Sequence, residues 1–137
     1  MYEGGCFCRF VRYRVRGRPR NETACHCTIC RRTSGAPFMA WFSVPVEDFE
    51  WLAGEPRIFP SSSHGRRGFC PRCGTALTFW SAREPGLIDV ATCSLDAPDC
   101  VPPRDHTQTA GRLPWVRPGD GLPRFEGPRP AEGDRRA

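Results

Sequence analysis

Short apolar and alternating runs, broken by turn residues, set the pattern of the first hundred positions. The apolar side chains Val11, Tyr13 and Val15 alternate with arginines, which is the period-two pattern of a strand with one buried face. Residues 38–44 form an apolar run of strand length that ends at Pro45. Further short strands are predicted at residues 57–59, 67–69, 76–80 and 87–92.

Helical signals are fewer and shorter. Residues 28–34 fit one short helix that ends at Gly35, and residues 46–52 fit a helical turn before Gly54. With 14 glycines and 15 prolines among 137 residues, long helices are not expected. The pattern therefore predicts a mainly β chain of short elements with short helical turns.

The length of the chain suits a single domain, which we predict to span residues 1–125. Its last third is rich in proline and arginine. We expect residues 101–125 to lie across the body as an arm, with Trp115 and Phe125 as isolated anchors. Residues 126–137 are predicted to form a disordered tail.

Charge and hydropathy narrow the set of partners. The formal net charge is +5, and all 20 basic residues are arginines because the sequence contains no lysine. A dedicated phosphate-binding surface usually mixes both cations, so nucleic acid is not expected as a partner. No stretch approaches the roughly 20 apolar residues of a membrane span, and the start lacks the regions of a signal peptide. We therefore expect no membrane partner and a cytoplasmic location.

A stripe of arginines occupies every second position near the start of the chain. Two interpretations of it stay open. It is either a solvated strand face followed by a turn, or a surface that binds an acidic partner; no recognition helix accompanies it. The stripe consists of Arg12, Arg14, Arg16, Arg18 and Arg20.

Nine cysteines, an odd number grouped in tight pairs, favour metal binding over a disulfide framework. Cys6 and Cys8 stand at i and i+2, so that on a strand both thiols face one side. Cys70 and Cys73 enclose two residues, and the glycine after them suits a tight turn. Together the two pairs supply the four thiolates of a closed structural zinc site.

A third group offers three thiols within six residues, from Cys25, Cys27 and Cys30. Catalytic zinc commonly has three protein ligands and an open position, so this group is the candidate active site. Cys27 and Cys30 also match a thioredoxin-like pair, but the strand and long helix of that motif are missing. His26 is either a fourth ligand or, because it lies between two ligands, a residue that supports them or lines the pocket.

The remaining thiols and one further histidine carry weaker signals. Cys93 and Cys100 lack close metal spacing and are interpreted as buried or free thiols, with a ligand role as the alternative. His64 is interpreted as a loop residue. The sequence contains no indication of the oligomeric state.

Three segments resemble one known family. They are residues 4–8 (GGCFC), 25–38 (CHCTICRRTSGAPF) and 69–75 (FCPRCGT). In this order they are similar to the glutathione-dependent formaldehyde-activating enzymes, a family that also includes centromere-protein-V-like proteins. The resemblance extends over residues 4–125, with a looser match at His106, at residues 114–115 and at residues 122–123.

The resemblance implies a β-tent fold of small stacked antiparallel sheets and two zinc ions. The structural ion would be held by the outer motifs and the catalytic ion by the middle one. It implies a carbon–sulfur lyase that adds glutathione or a similar small thiol to formaldehyde, giving an S-hydroxymethyl adduct. Arg31 or Arg32 could bind a glutathione carboxylate, and Phe38 or Trp41 could wall the pocket, against counter-ion and core roles as alternatives.

Two departures from the family pattern are visible. Arg9 follows the first pair of cysteines, where the family often has glycine, and residues 107–109 lack the aromatic that often follows His106. Two alternative functions stay open. The same fold could act on another thiol or aldehyde, or the chain could be a non-catalytic, zinc-stabilised module that binds an acidic partner.

Overall fold

The computed structural model describes residues 1–131. Within these residues, ten strands and one α-helix form the framework, joined by short 3-10 turns. In chain order the elements are β1 (Tyr2–Gly5), β2 (Arg12–Val15), β3 (Arg20–Cys25), α1 (Thr28–Ser34), β4 (Met39–Pro45), β5 (Phe49–Ala53), β6 (Arg57–Pro60), β7 (Gly65–Phe69), β8 (Ala76–Ser81), β9 (Leu87–Ala91) and β10 (His106–Thr107).

The strands form two sheets. The smaller sheet has the order β1-β2-β5, and the larger has the order β10-β3-β4-β9-β8-β7-β6. All pairs of named strands are antiparallel except β10 with β3, which is parallel. The predicted mainly β architecture of small sheets with short helical turns is confirmed.

The main core packs the inner face of β2 against side chains of β4, β8 and β9. Val11, Tyr13 and Val15 are fully buried, as their alternation predicts, and they join Phe42 and Leu77 in one apolar cluster. Removing such side chains from water is the principal stabilising contribution to a domain of this size.

The opposite face of β2 is paired with acids. Arg12, Arg14 and Arg16 contact the carboxylates of Asp96, Glu3 and Glu50, at N–O distances of 2.5, 2.8 and 2.5 Å. These pairs are partly exposed, so each contributes little to the free energy of unfolding. They do offset the positive charge of this part of the stripe.

The helix predicted at residues 28–34 is confirmed. Gly35 ends it in the left-handed region, with φ of 66°, and donates its amide to the Arg31 carbonyl. The helical turn predicted over residues 46–52 is wrong for its second half. Only Val46–Asp48 forms a 3-10 turn. The following strand β5 pairs with β2, because Phe49 and Trp51, two positions apart, pack on the same Tyr13 ring.

The last third of the chain lies along the edge of β3. Phe125 is half-buried and donates its amide to the His106 carbonyl at 2.8 Å, while the His106 amide donates to the Pro123 carbonyl at 2.8 Å. Trp115 is not an anchor, since it is 69% exposed and the neighbouring Val116 is buried instead. In the predicted tail, Arg129 contacts the Asp105 carboxylate. Residues 132–137 of that tail lie outside the described residues.

None of the helices within residues 1–131 is long and apolar enough to cross a membrane.

Candidate functional site

Two groups of cysteines have the geometry of metal ligands. In the first group, the sulfurs of Cys6, Cys8, Cys70 and Cys73 all lie within 4.8 Å of one another. The Cys6–Cys8 and Cys8–Cys70 sulfur pairs are 3.5 and 3.7 Å apart. Zinc–sulfur bonds of about 2.3 Å in a tetrahedron place sulfurs about 3.8 Å apart. The donor set therefore fits a closed four-thiolate zinc site.

Backbone amides support this first group. The amides of Val11 and Arg72 donate to the sulfurs of Cys6 and Cys70, at 3.2 and 3.4 Å. Gly74 adopts a φ of 77° and closes the turn with a 2.9 Å bond to the Cys70 carbonyl. Such amide donors stabilise thiolates, so the tight turn around Cys70 favours metal-binding sulfurs.

Arg9 has a left-handed backbone, with φ of 65°. Its amide donates to the Cys6 carbonyl at 3.0 Å, so the turn after the first cysteine pair depends on this conformation. Glycine adopts it without steric cost, whereas a side chain does not. The departure from glycine at this position therefore leaves the turn in place and adds local strain.

The second group lies where β3 meets α1. Cys25 ends the strand, Cys27 caps the helix and Cys30 lies in its first turn, and their three sulfurs lie within 4.8 Å of one another. The Cys27 sulfur accepts the Cys30 amide at 3.2 Å. No fourth Cys, His, Asp or Glu joins this group among residues 1–131. The three thiols fit zinc with one coordination position left for another ligand.

Contacts among the three thiols favour the thiolate form of Cys27. Hydrogen bonds from the thiols of Cys25 and Cys30 hold the pKa of Cys27 well below its ordinary value, helped by the charge of Arg67. The same contacts raise the pKa of Cys25. Arg67 places Nη2 3.8 Å from the Cys30 sulfur, so a cation from β7 accompanies the thiols.

His26 turns away from the sulfurs and is fully buried. Its Nε2 lies 2.9 Å from Nδ1 of His106, whose Nε2 lies 2.7 Å from the Asp120 carboxylate. Phe38 packs on the His26 ring with centroids 5.1 Å apart. The cysteine turn is thus tied through two histidines to the last third of the chain.

A cavity of about 770 Å³ opens beside the second group. Trp41 lines it, whereas Arg31, Arg32, Phe38 and His26 do not. Sequence reasoning missed several wall residues because they come from distant strands. His64 lies in the loop between β6 and β7, as predicted, and also lines the cavity. The missed residues with polar, charged or aromatic side chains include Arg67, Phe79, Glu84, Asp89, Thr107, Gln108 and Arg129.

The floor of the cavity is a row of side chains across four strands. Arg67 faces Phe79, Phe79 faces Asp89, and Asp89 faces Ser43. The Arg67 guanidinium lies 4.8 Å from the Phe79 ring centroid, and the Ser43 hydroxyl donates to Asp89 Oδ1 at 2.6 Å. Burial raises the pKa of Asp89 to about 6, although the Ser43 hydrogen bond opposes the shift.

Comparison with known proteins agrees with this arrangement. Residues 1–110 match the family model described as glutathione-dependent formaldehyde-activating enzyme. The chain belongs to this family. It is 31% identical over 125 residues to a Halomonas elongata protein named "Putative glutathione-dependent formaldehyde-activating enzyme", covering 85% of the chain and 80% of that protein.

Two further similarities extend the comparison. An uncharacterized lyase of Schizosaccharomyces pombe is 31% identical over 114 residues, which cover 72% of the chain and 82% of that protein. A crystal structure of a Rhodobacter sphaeroides protein matches with a TM-score of 0.56 at 20% identity, covering 90% of this chain and 98% of that one. The second similarity bears on the fold alone.

The three cysteine motifs of the sequence form the two sulfur groups, and the structure places the remaining cysteines elsewhere. Cys93 and Cys100 are both exposed and belong to neither group. The residues after His106 include Thr107, which is buried and bonds Thr23 at 2.9 Å between hydroxyl oxygens. At this position the chain has a small hydroxyl side chain beside the cavity, in place of the aromatic one that often follows the histidine in the family.

Proposed function

We propose that this chain catalyses the addition of a small thiol, with glutathione as the leading substrate, to formaldehyde. The reverse reaction breaks a carbon–sulfur bond, so the activity is that of a carbon–sulfur lyase. The observation that carries the proposal is the group of Cys25, Cys27 and Cys30, which has no fourth protein ligand within residues 1–131 and adjoins a cavity of about 770 Å³.

We assign two zinc ions to the two sulfur groups. Cys6, Cys8, Cys70 and Cys73 would hold a structural ion, and Cys25, Cys27 and Cys30 would hold the catalytic one. A zinc ion with three thiolate ligands offers one position to an incoming thiol and favours its deprotonated form at neutral pH.

The residues around the thiols supply binding and placement. Arg67 places a cation near the sulfurs and so stabilises negative charge that develops on an incoming thiol. Trp41 and Phe79 pack beside the cysteines and keep part of the cavity dry. In the reaction, the thiol sulfur bonds to the carbonyl carbon, and the carbonyl oxygen gains the proton that the thiol loses. Holding the two reactants together is the main requirement of this step.

The test measures the exchange between glutathione, formaldehyde and their adduct by two-dimensional exchange NMR. Wild-type protein should accelerate this exchange, and Cys27→Ala should lose at least about tenfold of the acceleration. Cys93→Ala is the matched control, because Cys93 is exposed and outside both sulfur groups. Equal rates for wild type and Cys27→Ala would contradict the proposal.

The reaction requires reduced cysteines, so we place it in the cytoplasm, where thiols stay reduced. Another thiol or aldehyde would suit the same chemistry, and the exchange assay run with alternative thiols distinguishes them. The proposed partners are therefore small molecules, and the oligomeric state plays no part in the proposal.

A non-catalytic role has one observation in its favour. A second cavity of about 600 Å³ is lined by Arg18, Arg20, Arg104 and Arg129. Arg104 and Arg129 contact the carboxylates of nearby acids, which reduces the charge available to a ligand. Salt-dependent binding of an acidic peptide that is lost in an Arg18→Ser and Arg20→Ser double variant would support an interaction module. Binding that the double variant retains would exclude this role for the second cavity.

A further inference from the structure

The cavity beside the three thiols contains acids that thiol addition does not use. Asp89 and Glu84 both line it, in addition to Arg67. Addition of a thiol to formaldehyde needs a thiolate and correct placement of the carbonyl carbon. A carboxylate in the wall stabilises neither the thiolate nor the alkoxide that forms from the carbonyl. Stabilisation of these two charges therefore leaves Asp89 without an assigned role.

The position of Asp89 on β9 relates it to the wall that contacts the thiols. It precedes Ala91 by two positions on β9, so both side chains face the same side of the sheet. Ala91 packs in one cluster with Cys30 and Trp41. Two positions along a strand correspond to about 7 Å. The carboxylate thus stands about one side-chain position away from the wall that contacts the sulfurs.

The Asp89 carboxylate is open to the cavity. Oδ1 accepts the Ser43 hydroxyl, and this is its hydrogen bond to the described part of the chain. Within residues 1–131, no Arg or His nitrogen lies within 4.0 Å of the Asp89 carboxylate. The Arg67 guanidinium stacks instead on Phe79, whose strand β8 lies between β7 and β9. The carboxylate is half-buried and oriented by Ser43, yet it has no cationic partner.

The charges along the cavity are complementary to one kind of thiol. Arg67 stands next to the sulfurs, where a thiolate would lie, and Asp89 stands farther along the floor. A ligand with a negative sulfur and a positive group farther along the molecule would match both charges.

We propose that Asp89 binds the protonated primary amine of the thiol substrate, so that the site selects thiols that also carry a free amine on a neighbouring part of the molecule. This inference rests on the proposed function. Glutathione has this arrangement, whereas its N-acetylated form lacks the charge. Asp89 is a specificity-determining residue, and Ser43 positions its carboxylate.

A purely structural role for Asp89 makes different predictions. If the carboxylate served only to hold Ser43, replacing it would change the stability of the sheet and affect all thiols equally. An amine-binding role affects only thiols with a free amine. Comparing a thiol that has a free amine with one that lacks it, on the same protein, therefore separates the two roles. The first comparison uses the wild-type protein.

The experiment titrates zinc-loaded protein with glutathione and with N-acetylglutathione, measuring Kd by calorimetry and exchange rates by NMR. Wild type should bind glutathione about 10- to 100-fold more tightly, as expected for one charge-assisted hydrogen bond. Asp89→Asn should lose this preference through weaker glutathione binding, with N-acetylglutathione unchanged. Glu84→Gln is the control, since it removes a neighbouring acid of the same cavity and should keep the preference.

Three outcomes would overturn the inference: equal affinity of the wild type for the two thiols, an unchanged preference in Asp89→Asn, or loss of the preference in Glu84→Gln alone. Failure of the proposed function looks different, because the protein would then accelerate the exchange of neither thiol. The binding titration still decides the amine preference in that case, since it does not depend on turnover.

Discussion

Replacing both Cys70 and Cys73 by serine removes two sulfurs from the group that joins the start of the chain to the β7–β8 turn, and the remaining pair, Cys6 and Cys8, closes no long loop. Cys8 and Cys70 are 62 positions apart, so a metal held between them closes a long loop in the unfolded chain. The loop-closure relation for a cross-link of this span corresponds to about 4 kcal/mol of unfolding free energy at 25 °C. For the six residues from Cys25 to Cys30 the same relation yields about 2 kcal/mol.

Thermal unfolding of the metal-loaded proteins measures this difference. For a chain of this size about 3–4 °C of Tm corresponds to 1 kcal/mol, so the Cys70→Ser and Cys73→Ser double variant should lose about 12–16 °C and Cys30→Ser about half of that. Cys93→Ser should melt like the wild type, because Cys93 is exposed and outside both groups. A double variant that melts within about 3 °C of the wild type would refute the assignment of the first group as the structural site. Equal losses for the double variant and Cys30→Ser would refute the loop-closure reasoning.

Three further substitutions test individual features. Arg67→Gln removes the cation 3.8 Å from the Cys30 sulfur, so we expect cobalt to bind the second group about tenfold more weakly, with Arg67→Lys recovering part of the loss. Thiolate-to-cobalt absorption measures this affinity. An unchanged cobalt affinity would exclude the electrostatic role of Arg67. Arg9→Gly relieves a left-handed backbone and should raise the unfolding free energy by about 1 kcal/mol in chemical denaturation, whereas a decrease would show that the Arg9 side chain matters more than its φ angle. The raised pKa of Asp89, about 6 when folded, means that the folded state binds more protons than the unfolded state between about pH 4 and 6. Ionised Asp89 therefore lowers the unfolding free energy. This loss is absent below the window and complete above it, so Asp89→Asn should gain stability relative to wild type as the pH rises from about 4 to 7. A constant difference between the two proteins across that range would contradict the pKa shift.

Local patterns in the sequence were sufficient for the elements whose determinants are themselves local. The alternation around Tyr13 requires only that one face of a strand be buried, and a glycine at position 35 ends a helix wherever the chain goes next. The closeness of neighbouring cysteines could also be predicted, because thiols two or three positions apart meet with little help from the rest of the fold. Residues 46–52 could not, since a segment this short fits a turn or a strand, and the Tyr13 ring against which Phe49 and Trp51 pack is distant in sequence.

The walls of the cavity were decided by tertiary structure alone. Arg67, Phe79 and Asp89 belong to three strands, and only the register of β7, β8 and β9 places them in one row beside the thiols. Arg31, adjacent to Cys30 in sequence, lies outside the cavity, because residues next to one another on a helix face different directions. The sequence by itself therefore determined which atoms are able to bind a metal, since ligand spacing is a local property. Which side chains meet a substrate depended on strand pairing, which brings together residues that no local pattern connects.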